Sequence, residues 1–258
     1  MHWGPRLYYV NQALLWVLAT LVLVFAARDL VRVAPSPPTT LAAEPAADLR
    51  HAVATARLFT GLVTVYGDGR ILRQGSGFFL DTSGLFLTAR HVLGDQQMAE
   101  IQLENSTPRA ARLVAASEAL DLSILQVLGG GAFPAGVLRI TPPVVPGEMV
   151  GVLGYPVPGL LADSMTARSG IVASVSSDRC LIALDEPASP GQSGGPMIDL
   201  QGRVVGMVTG RFTYSGGEGV DLAFALRPTA LGAALYEVQT AKRQDPAPFG
   251  LKASRSSC

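Results

Sequence analysis

The sequence is poor in cysteine and in charge, and each shortage excludes a class of protein. Two cysteines, Cys180 and Cys258, are a weak basis for a disulfide framework, although their spacing does not exclude a bond between them. Two thiols without a histidine pair at ligand spacing do not make a zinc site, so no metal is expected. Charged residues make up 16% of the chain and the formal net charge is zero, so no basic surface for nucleic acid is expected.

Hydrophobic residues and turn formers are abundant instead. Hydrophobic residues make up 48% of the 258 residues, which supplies a sizeable core and excludes disorder for most of the chain. The 28 glycines and 18 prolines indicate many turns between short elements. Together these features favour an all-β domain.

The N-terminal segment carries an uncharged apolar run over residues 7–27. About 20 apolar residues span a bilayer as a helix, so we predict a transmembrane helix that anchors the chain within residues 1–33. The alternative is a cleaved signal peptide, because Val24-Phe25-Ala26 resembles a cleavage site. Residues 34–50 begin with several prolines and are predicted to form a linker.

Residues 51–239 are predicted to form one domain of short strands. A short helix is expected near 48–58, a closing helix at 230–238, and a flexible tail over 240–258. The segment from Pro142 to Pro146 divides the strands into two halves, which favours a pair of barrels. The predicted strands are 62–66, 77–80, 85–88, 100–103, 109–115, 123–127, 149–153, 169–175, 180–184, 196–198, 204–209 and 222–225.

A glycine-rich loop around Ser193 has the composition that nucleophilic hydrolysis by serine requires. In Pro190-Gly191-Gln192-Ser193-Gly194-Gly195-Pro196, the glycines permit tight turns and leave the hydroxyl uncovered. The amides of Gly191 and Ser193 are predicted to form an oxyanion hole. An ordinary turn that contains a serine is one alternative. The nucleophile elbow of α/β-hydrolases is another, but it needs a histidine after the serine, and all three histidines precede it.

His91 is the most plausible base for this serine. It follows an apolar strand, whereas His2 lies before the predicted membrane span and His51 lies in the predicted short helix. Asp121 precedes the strand at 123–127, so its carboxylate is expected at the lip of a barrel, where it would orient the imidazole. Glu118 is the competing acid, three residues further from the strand. A structural histidine and a capping aspartate are the alternative roles.

Several segments carry motifs that lie in the order histidine, aspartate, serine. They are Gly75-Ser76-Gly77-Phe78-Phe79, Leu87-Thr88-Ala89-Arg90-His91-Val92, Asp121-Leu122-Ser123-Ile124-Leu125-Gln126-Val127, Ser189-Pro190-Gly191-Gln192-Ser193-Gly194-Gly195-Pro196-Met197, Gly202-Arg203-Val204-Val205-Gly206-Met207 and Gly219-Val220-Asp221-Leu222-Ala223-Phe224-Ala225-Leu226. Together they resemble the trypsin-like serine peptidases, and most of all their bacterial HtrA/Deg branch. The resemblance covers residues 62–228, about two thirds of the chain.

This resemblance implies a fold and an activity. The fold is all-β, with two six-stranded antiparallel β-barrels and a triad at their interface, in which His91 and Asp121 come from the first barrel and Ser193 from the second. The activity is that of a serine endopeptidase that needs no cofactor. Gln192 stands where digestive trypsins carry an aspartate, so activation by a newly cut N-terminus is not expected. Only about 30 residues follow Pro228, so no PDZ domain is expected.

The resemblance also implies where a peptide substrate binds. Family members add the substrate as a strand to an exposed edge. The expected edge is Val208, Thr209, Gly210 and Arg211, and the expected pocket is lined by Pro187, Ala188, Ser189, Thr209 and Phe224. Because Pro187 stands where trypsins carry an acid, we expect cleavage after small or medium apolar residues, although Asp185 lies nearby.

The expected partners are protein or peptide substrates and, through the N-terminal helix, a membrane. The protease domain is expected outside the cytoplasm, in the periplasm, and it would be secreted if the N-terminal segment is cleaved. A catalytically silent scaffold with the same fold, binding peptides or partner proteins at the membrane, is the alternative function. An esterase on the same barrels is a second alternative.

Overall fold

The computed structural model describes residues 18, 20, 21, 48–156, 164–176, 178–213, 221–241 and 248–252, with the backbone alone at 211–213 and 221. The chain divides into two compact units, 1–46 and 47–258. Apart from residues 18, 20 and 21, the predicted anchor lies outside the described residues, and so does most of the predicted linker. In the part of the chain that is described, no helix is long and apolar enough to cross a membrane.

The second unit, which begins at residue 47, contains thirteen strands and three helices among its described residues. The strands are β1 (Thr60–Gly67), β2 (Arg70–Phe79), β3 (Leu85–Ala89), β4 (Met98–Leu103), β5 (Arg109–Ser117), β6 (Leu122–Val127), β7 (Met149–Gly154), β8 (Thr166–Ser176), β9 (Leu181–Leu184), β10 (Pro196–Ile198), β11 (Val204–Thr213), β12 (Asp221–Leu226) and β13 (Phe249–Gly250). The helices are α1 (Leu49–Arg57), α2 (Arg90–Leu93) and α3 (Pro228–Ala241).

The strands form two closed antiparallel barrels, as predicted. In the first, the strand order is β5-β4-β1-β2-β3-β6, and pairing between β5 and β6 closes the ring. In the second, the order is β10-β11-β12-β9-β8-β7, also closed. Each of the twelve predicted strands corresponds to one of β1–β12. Apolar side chains fill both interiors.

Helix α1 packs across both barrels. It begins after Asp48, whose carboxylate accepts a hydrogen bond from the Arg50 amide at 3.0 Å, as a helix N-cap does. Its buried face, Ala52 and Ala56, is fully shielded from solvent. The helix contacts β1 of the first barrel and β7 and β10 of the second. A salt bridge from Arg57 to Glu104, just beyond β4, fixes its C-terminal end and lowers the pKa of the Glu104 carboxyl.

A buried charged cluster attaches the inter-barrel connection to the second barrel. Arg139 is 7% exposed, and its Nη1 lies 2.6 Å from Glu148 Oε1 and 3.3 Å from Asp199 Oδ2. The hydrogen bond to Glu148 raises the pKa of Arg139. Asp199, which directly follows β10, also accepts from Arg203 Nε at 2.8 Å. Because removal of one partner would leave a buried charge uncompensated, this cluster holds the connection rigidly.

The C-terminal segment returns to the first barrel. The buried side of α3, which includes Leu231 and Val238, packs into a core cluster to which both barrels contribute, and the helix contacts β11 of the second barrel. After it, Phe249 and Gly250 pair in parallel with β5. We expected a flexible tail from residue 240 onward; in the structure the helix ends at Ala241, and residues 249–250 add a strand to the first sheet.

Buried hydroxyls in the first barrel provide a test of the packing. Ser123 is fully buried and its Oγ makes no hydrogen bond with the described residues. Thr60 is equally buried, but its Oγ1 donates to the Ala56 carbonyl at 2.7 Å. We therefore expect Ser123→Ala to raise the free energy of unfolding by about 1 kcal/mol, and Thr60→Val to lower it by about 1 kcal/mol. Urea denaturation measures both, and equal losses of stability would contradict this assignment.

Candidate active site

His91 and Asp121 form a hydrogen-bonded pair at the rim of the first barrel. His91 Nδ1 lies 2.7 Å from Asp121 Oδ2, and the His91 amide donates to Asp121 Oδ1 at 2.9 Å. The His91 side chain is 49% exposed. A carboxylate at Nδ1 favours the tautomer in which Nε2 is free to accept a proton.

Strand pairing explains why these two residues meet. Ala89, the last residue of β3, pairs with Leu122, the first residue of β6. One step further in each direction, the Arg90 amide donates to the Asp121 carbonyl at 3.0 Å. The chain then turns into the short helix α2, which directs His91 back over the carboxylate. Glu118, the competing acid, instead pairs with the Arg90 guanidinium at 2.9 Å.

The loop that carries Ser193 docks on the first barrel although it belongs to the second. The Ser76 amide in β2 donates to the Ser193 carbonyl at 2.8 Å. A Cβ at Gly194, whose φ is +84°, would lie 2.2 Å from the Ser76 carbonyl and 2.8 Å from the Ala89 amide. Residues 193–194 therefore touch the chain two residues before His91. We call this contact of 193–194 with Ser76 and Ala89 the inter-barrel seam.

The loop itself is tightly turned before Ser193. Gly191 has a φ of +90°, which favours glycine, and a Cβ there would lie 2.0 Å from the Tyr155 carbonyl. The Gln192 amide donates to the Ser189 carbonyl at 3.1 Å, and Gln192 Oε1 accepts from the Ser189 amide at 2.8 Å. Gln192 is 1% exposed, so its side chain closes the turn from inside the protein.

Charged residues hold the start of the loop from outside. Arg168 in β8 donates to Ser189 Oγ at 3.0 Å and pairs with Glu186 Oε2 at 3.0 Å. Asp185 Oδ1 accepts a hydrogen bond from the Ile171 amide at 2.6 Å. Both acidic side chains between β9 and Ser193 are thus engaged with β8.

The predicted substrate residues are divided between two places. Three of them, Thr209, Gly210 and Phe224, line a groove of about 500 Å³. The groove also includes residues that the sequence analysis missed, namely Ser174, Ser176, Arg179, Leu181 and Ala183. Thr209 is a bulge residue, because Val208 pairs with Ala225 and Gly210 with Phe224.

The remaining predicted substrate residues do not line this groove. Pro187, Ala188 and Ser189 lie in the loop before the serine, where Ala188 packs against the core of the second barrel. Val208 is buried, and its amide and carbonyl pair with Gly195 and Gly194. The side chain of Arg211 lies outside the described residues.

Two residues that position the loop were not identified as site residues from the sequence. Ser76 lies in the Gly75-Ser76-Gly77-Phe78 motif, so its presence was noted but its contact with the loop was not. Arg168 carries no local signal, since it is one of several exposed side chains on β8. Within the described residues, no group of three or more His, Cys, Asp or Glu side chains is placed to hold a metal ion.

Comparison with known sequences gives a family and several relatives. A model described as a trypsin-like peptidase domain matches residues 75–207. The chain is 33% identical over 177 residues to the uncharacterized protein y4bJ of Sinorhizobium fredii, covering 65% of this chain and 27% of that protein. It is 33% identical over 163 residues to a probable periplasmic serine endoprotease DegP-like of Bartonella henselae, covering 61% and 31%.

A third relative, the probable periplasmic serine endoprotease DegP-like of Ectopseudomonas mendocina, is 35% identical over 158 residues, covering 59% of this chain and 32% of the relative. The chain therefore spans about a third or less of the length of these relatives. Among solved structures, the serine endoprotease from Yersinia pestis superposes with a TM-score of 0.65 at 22% identity. That match covers 75% of this chain and 67% of the other, and it shows a shared fold.

The conformation of Gly191 can be tested by adding a methyl group. Gly191→Ala would place Cβ against backbone atoms of Tyr155 and Pro156, which no side-chain rotation can move. We expect a loss of more than about 1 kcal/mol of stability, seen as a fall in Tm of more than about 2 °C. Gly250→Ala is the matched control, because no described atom lies within 4 Å of its Cβ. Equal Tm values for the two variants would contradict the loop geometry.

Proposed function

Because the chain belongs to the trypsin-like peptidase domain family, we propose that it is a serine endopeptidase whose catalytic triad is Ser193, His91 and Asp121. The observation that carries the proposal is the His91–Asp121 pair, with a 2.7 Å contact at Nδ1, adjoining a loop that presents a serine from the second barrel. The relatives named as DegP-like serine endoproteases support the same reaction class.

The proposed reaction is acyl transfer to the Ser193 hydroxyl. His91 takes the hydroxyl proton as Ser193 Oγ attacks the peptide carbonyl, and later gives that proton to the leaving amine. Asp121 holds the imidazole in the required tautomer and stabilises the imidazolium. The amides of Gly191 and Ser193 stabilise the oxyanion of the tetrahedral intermediate. Water then hydrolyses the acyl-enzyme by the same steps in reverse order.

We further propose that the protein acts outside the cytoplasm, anchored through its N-terminal segment. The DegP-like relatives are named as probable periplasmic proteins. Cys180 is fully buried and disulfide-bonded, and disulfides persist mainly in oxidising compartments such as the periplasm. The substrates proposed for this compartment are proteins or peptides that reach the exposed imidazole at the barrel rim.

Labelling with a serine-directed fluorophosphonate tests the proposed triad on the full chain in mild detergent. We expect labelling of the wild type and none of Ser193→Ala, because the phosphonate reacts only with an activated hydroxyl. Asp121→Asn would slow labelling by a factor on the order of 10³–10⁴, since it removes the anion that orients His91. Ser123→Ala is the matched control, with a serine lost from the same chain but outside the site, and it should label at the wild-type rate.

The outcomes of that experiment separate the alternatives. A folded wild-type protein that fails to label would contradict the proposed activity and favour the catalytically silent scaffold. Labelling that persists in Ser193→Ala would place the reactive hydroxyl elsewhere.

The proposed cleavage preference is for small or medium apolar residues before the scissile bond. Asp185 lies close in sequence to the predicted pocket residues, and its carboxylate accepts a hydrogen bond from the Ile171 amide. The neighbouring Glu186 pairs with Arg168. Both carboxylates therefore have partners on β8, which supports a pocket that does not rely on an acid.

A peptide library analysed by mass spectrometry checks this preference. We expect the wild type to cleave after residues such as Ala, Val or Leu, and Asp185→Asn to keep the same profile. Cleavage of the wild type after Lys or Arg, lost in Asp185→Asn, would show that Asp185 determines specificity and would overturn the proposal.

A further inference from the structure

One fully buried side chain of the first barrel, that of Ser76, makes two hydrogen bonds to the second barrel next to the candidate site. Ser76 Oγ donates to the Gly191 carbonyl at 2.6 Å and accepts from the Tyr155 amide at 2.8 Å. Both partners belong to the second barrel, Tyr155 directly after β7 and Gly191 in the loop that carries the serine. The Ser76 side chain therefore crosses between the barrels at the point where its own amide binds Ser193.

The main chain of Ser76 is also held in place. Its carbonyl accepts a hydrogen bond from Thr88 Oγ1 at 2.7 Å, within the first barrel. With its amide, its carbonyl and its hydroxyl all bonded, Ser76 has no free polar atom and no solvent contact. A buried residue whose polar atoms are all hydrogen-bonded has one restricted conformation, unlike a surface side chain that can change its rotamer.

The hydroxyl acts on the peptide that lies between the two proposed oxyanion donors. Those donors are the amides of Gly191 and Ser193, and the peptide linking Gly191 to Gln192 separates them. A peptide unit is planar, so hydrogen bonds at its two ends fix its orientation. Ser76 Oγ binds the carbonyl end, and the Ser189 carbonyl binds the amide end.

Glycine makes this restraint necessary. Gly191 has a φ of +90° and lacks a side chain, so its own conformational preferences do not select one orientation of the following peptide. If that peptide rotated, the flanking amides would no longer converge on one oxyanion. Preorganised donors stabilise a transition state because they need no reorganisation when charge develops.

We propose that Ser76 is a positioning residue, whose hydroxyl locks the Gly191–Gln192 peptide across the inter-barrel seam and so holds the oxyanion donors in place. This inference rests on the proposed endopeptidase function. In this proposal the first barrel supplies the His91–Asp121 pair and also orients a loop that belongs to the second barrel.

The expected consequence is a loss of rate rather than of binding. Ser76→Ala removes the hydrogen bond to the Gly191 carbonyl without touching His91, Asp121 or the nucleophile. The contact of the amides with the oxyanion forms only in the transition state, so weakening it lowers the rate constant and leaves the binding constant nearly unchanged. We expect the maximal inactivation rate by a fluorophosphonate, kinact, to fall about 10–100-fold, less than or similar to the loss of a whole oxyanion donor.

The experiment uses the full chain and a concentration series of the fluorophosphonate, which separates kinact from the inhibitor constant KI. Ser76→Ala should lower kinact while KI stays within about threefold of the wild type. The pH dependence of kinact should keep its midpoint, because Ser76 does not titrate and the proposed base is intact. Ser76→Cys keeps the side chain near its original size with a weaker donor, and its kinact should lie between those of wild type and Ser76→Ala.

Thr60→Val is the control for a general loss of stability. It also removes a buried hydroxyl bonded to a backbone carbonyl in the first barrel, away from the loop. We expect its kinact to equal that of the wild type. Thermal unfolding of each variant establishes that it is folded at the assay temperature, and if Ser76→Ala is not, Ser76→Cys decides the question.

Each outcome of this experiment either supports the positioning role or overturns it. A lower kinact in the folded Ser76 variants, with KI and the pH midpoint unchanged, supports the positioning role. Wild-type kinact in a folded Ser76 variant would overturn it, and so would an equal fall in Thr60→Val. Absence of labelling in the wild type itself would refute the proposed function and, with it, this inference.

Discussion

The docking of the Ser193 loop on strand β2 is the constraint on which the rest of the candidate site depends. A nucleophile and its base must lie within hydrogen-bond reach, yet the residues proposed for these roles, Ser193 and His91, come from different barrels. The Ser76 amide binds the Ser193 carbonyl, and Gly194 fits against the Ser76 carbonyl with no room for a side chain. Because these contacts are between backbone atoms, they restrict the two barrels to one arrangement at this point.

The elements outside the barrels support that arrangement from several directions. Helix α1 packs on strands of both barrels, and α3 contacts β11 and buries Leu231 and Val238 in a core cluster to which both barrels contribute. The Arg139 cluster attaches the connection between the barrels to the end of β10, close after the nucleophile loop. A site assembled from two bodies needs such supports, since even a small shift between reacting groups lowers the rate steeply.

The accuracy of the sequence-based interpretation varied with how local each signal was. The twelve predicted strands were found because each contains a short apolar run that is bounded by turn-forming residues. The predicted strand began at Gly77, whereas β2 begins at Arg70. The prediction missed the first half of this strand because that half is exposed and does not form an apolar run. The pairing of Phe249 with β5 was missed for a different reason: a two-residue strand is recognisable only from the partner it meets.

Local patterns in the sequence carry the chemical types: a serine near glycines, a histidine after an apolar strand, an aspartate before another, and short apolar runs between turns. These properties belong to short segments and can be read without knowing their neighbours. Only the tertiary structure decided that Asp121 rather than Glu118 meets the imidazole, and that the Ser76 hydroxyl binds Gly191. The first contact joins residues that are 30 positions apart in the chain, and the second joins residues that are 115 positions apart. Both therefore depend on strand register and barrel docking, which no local pattern encodes.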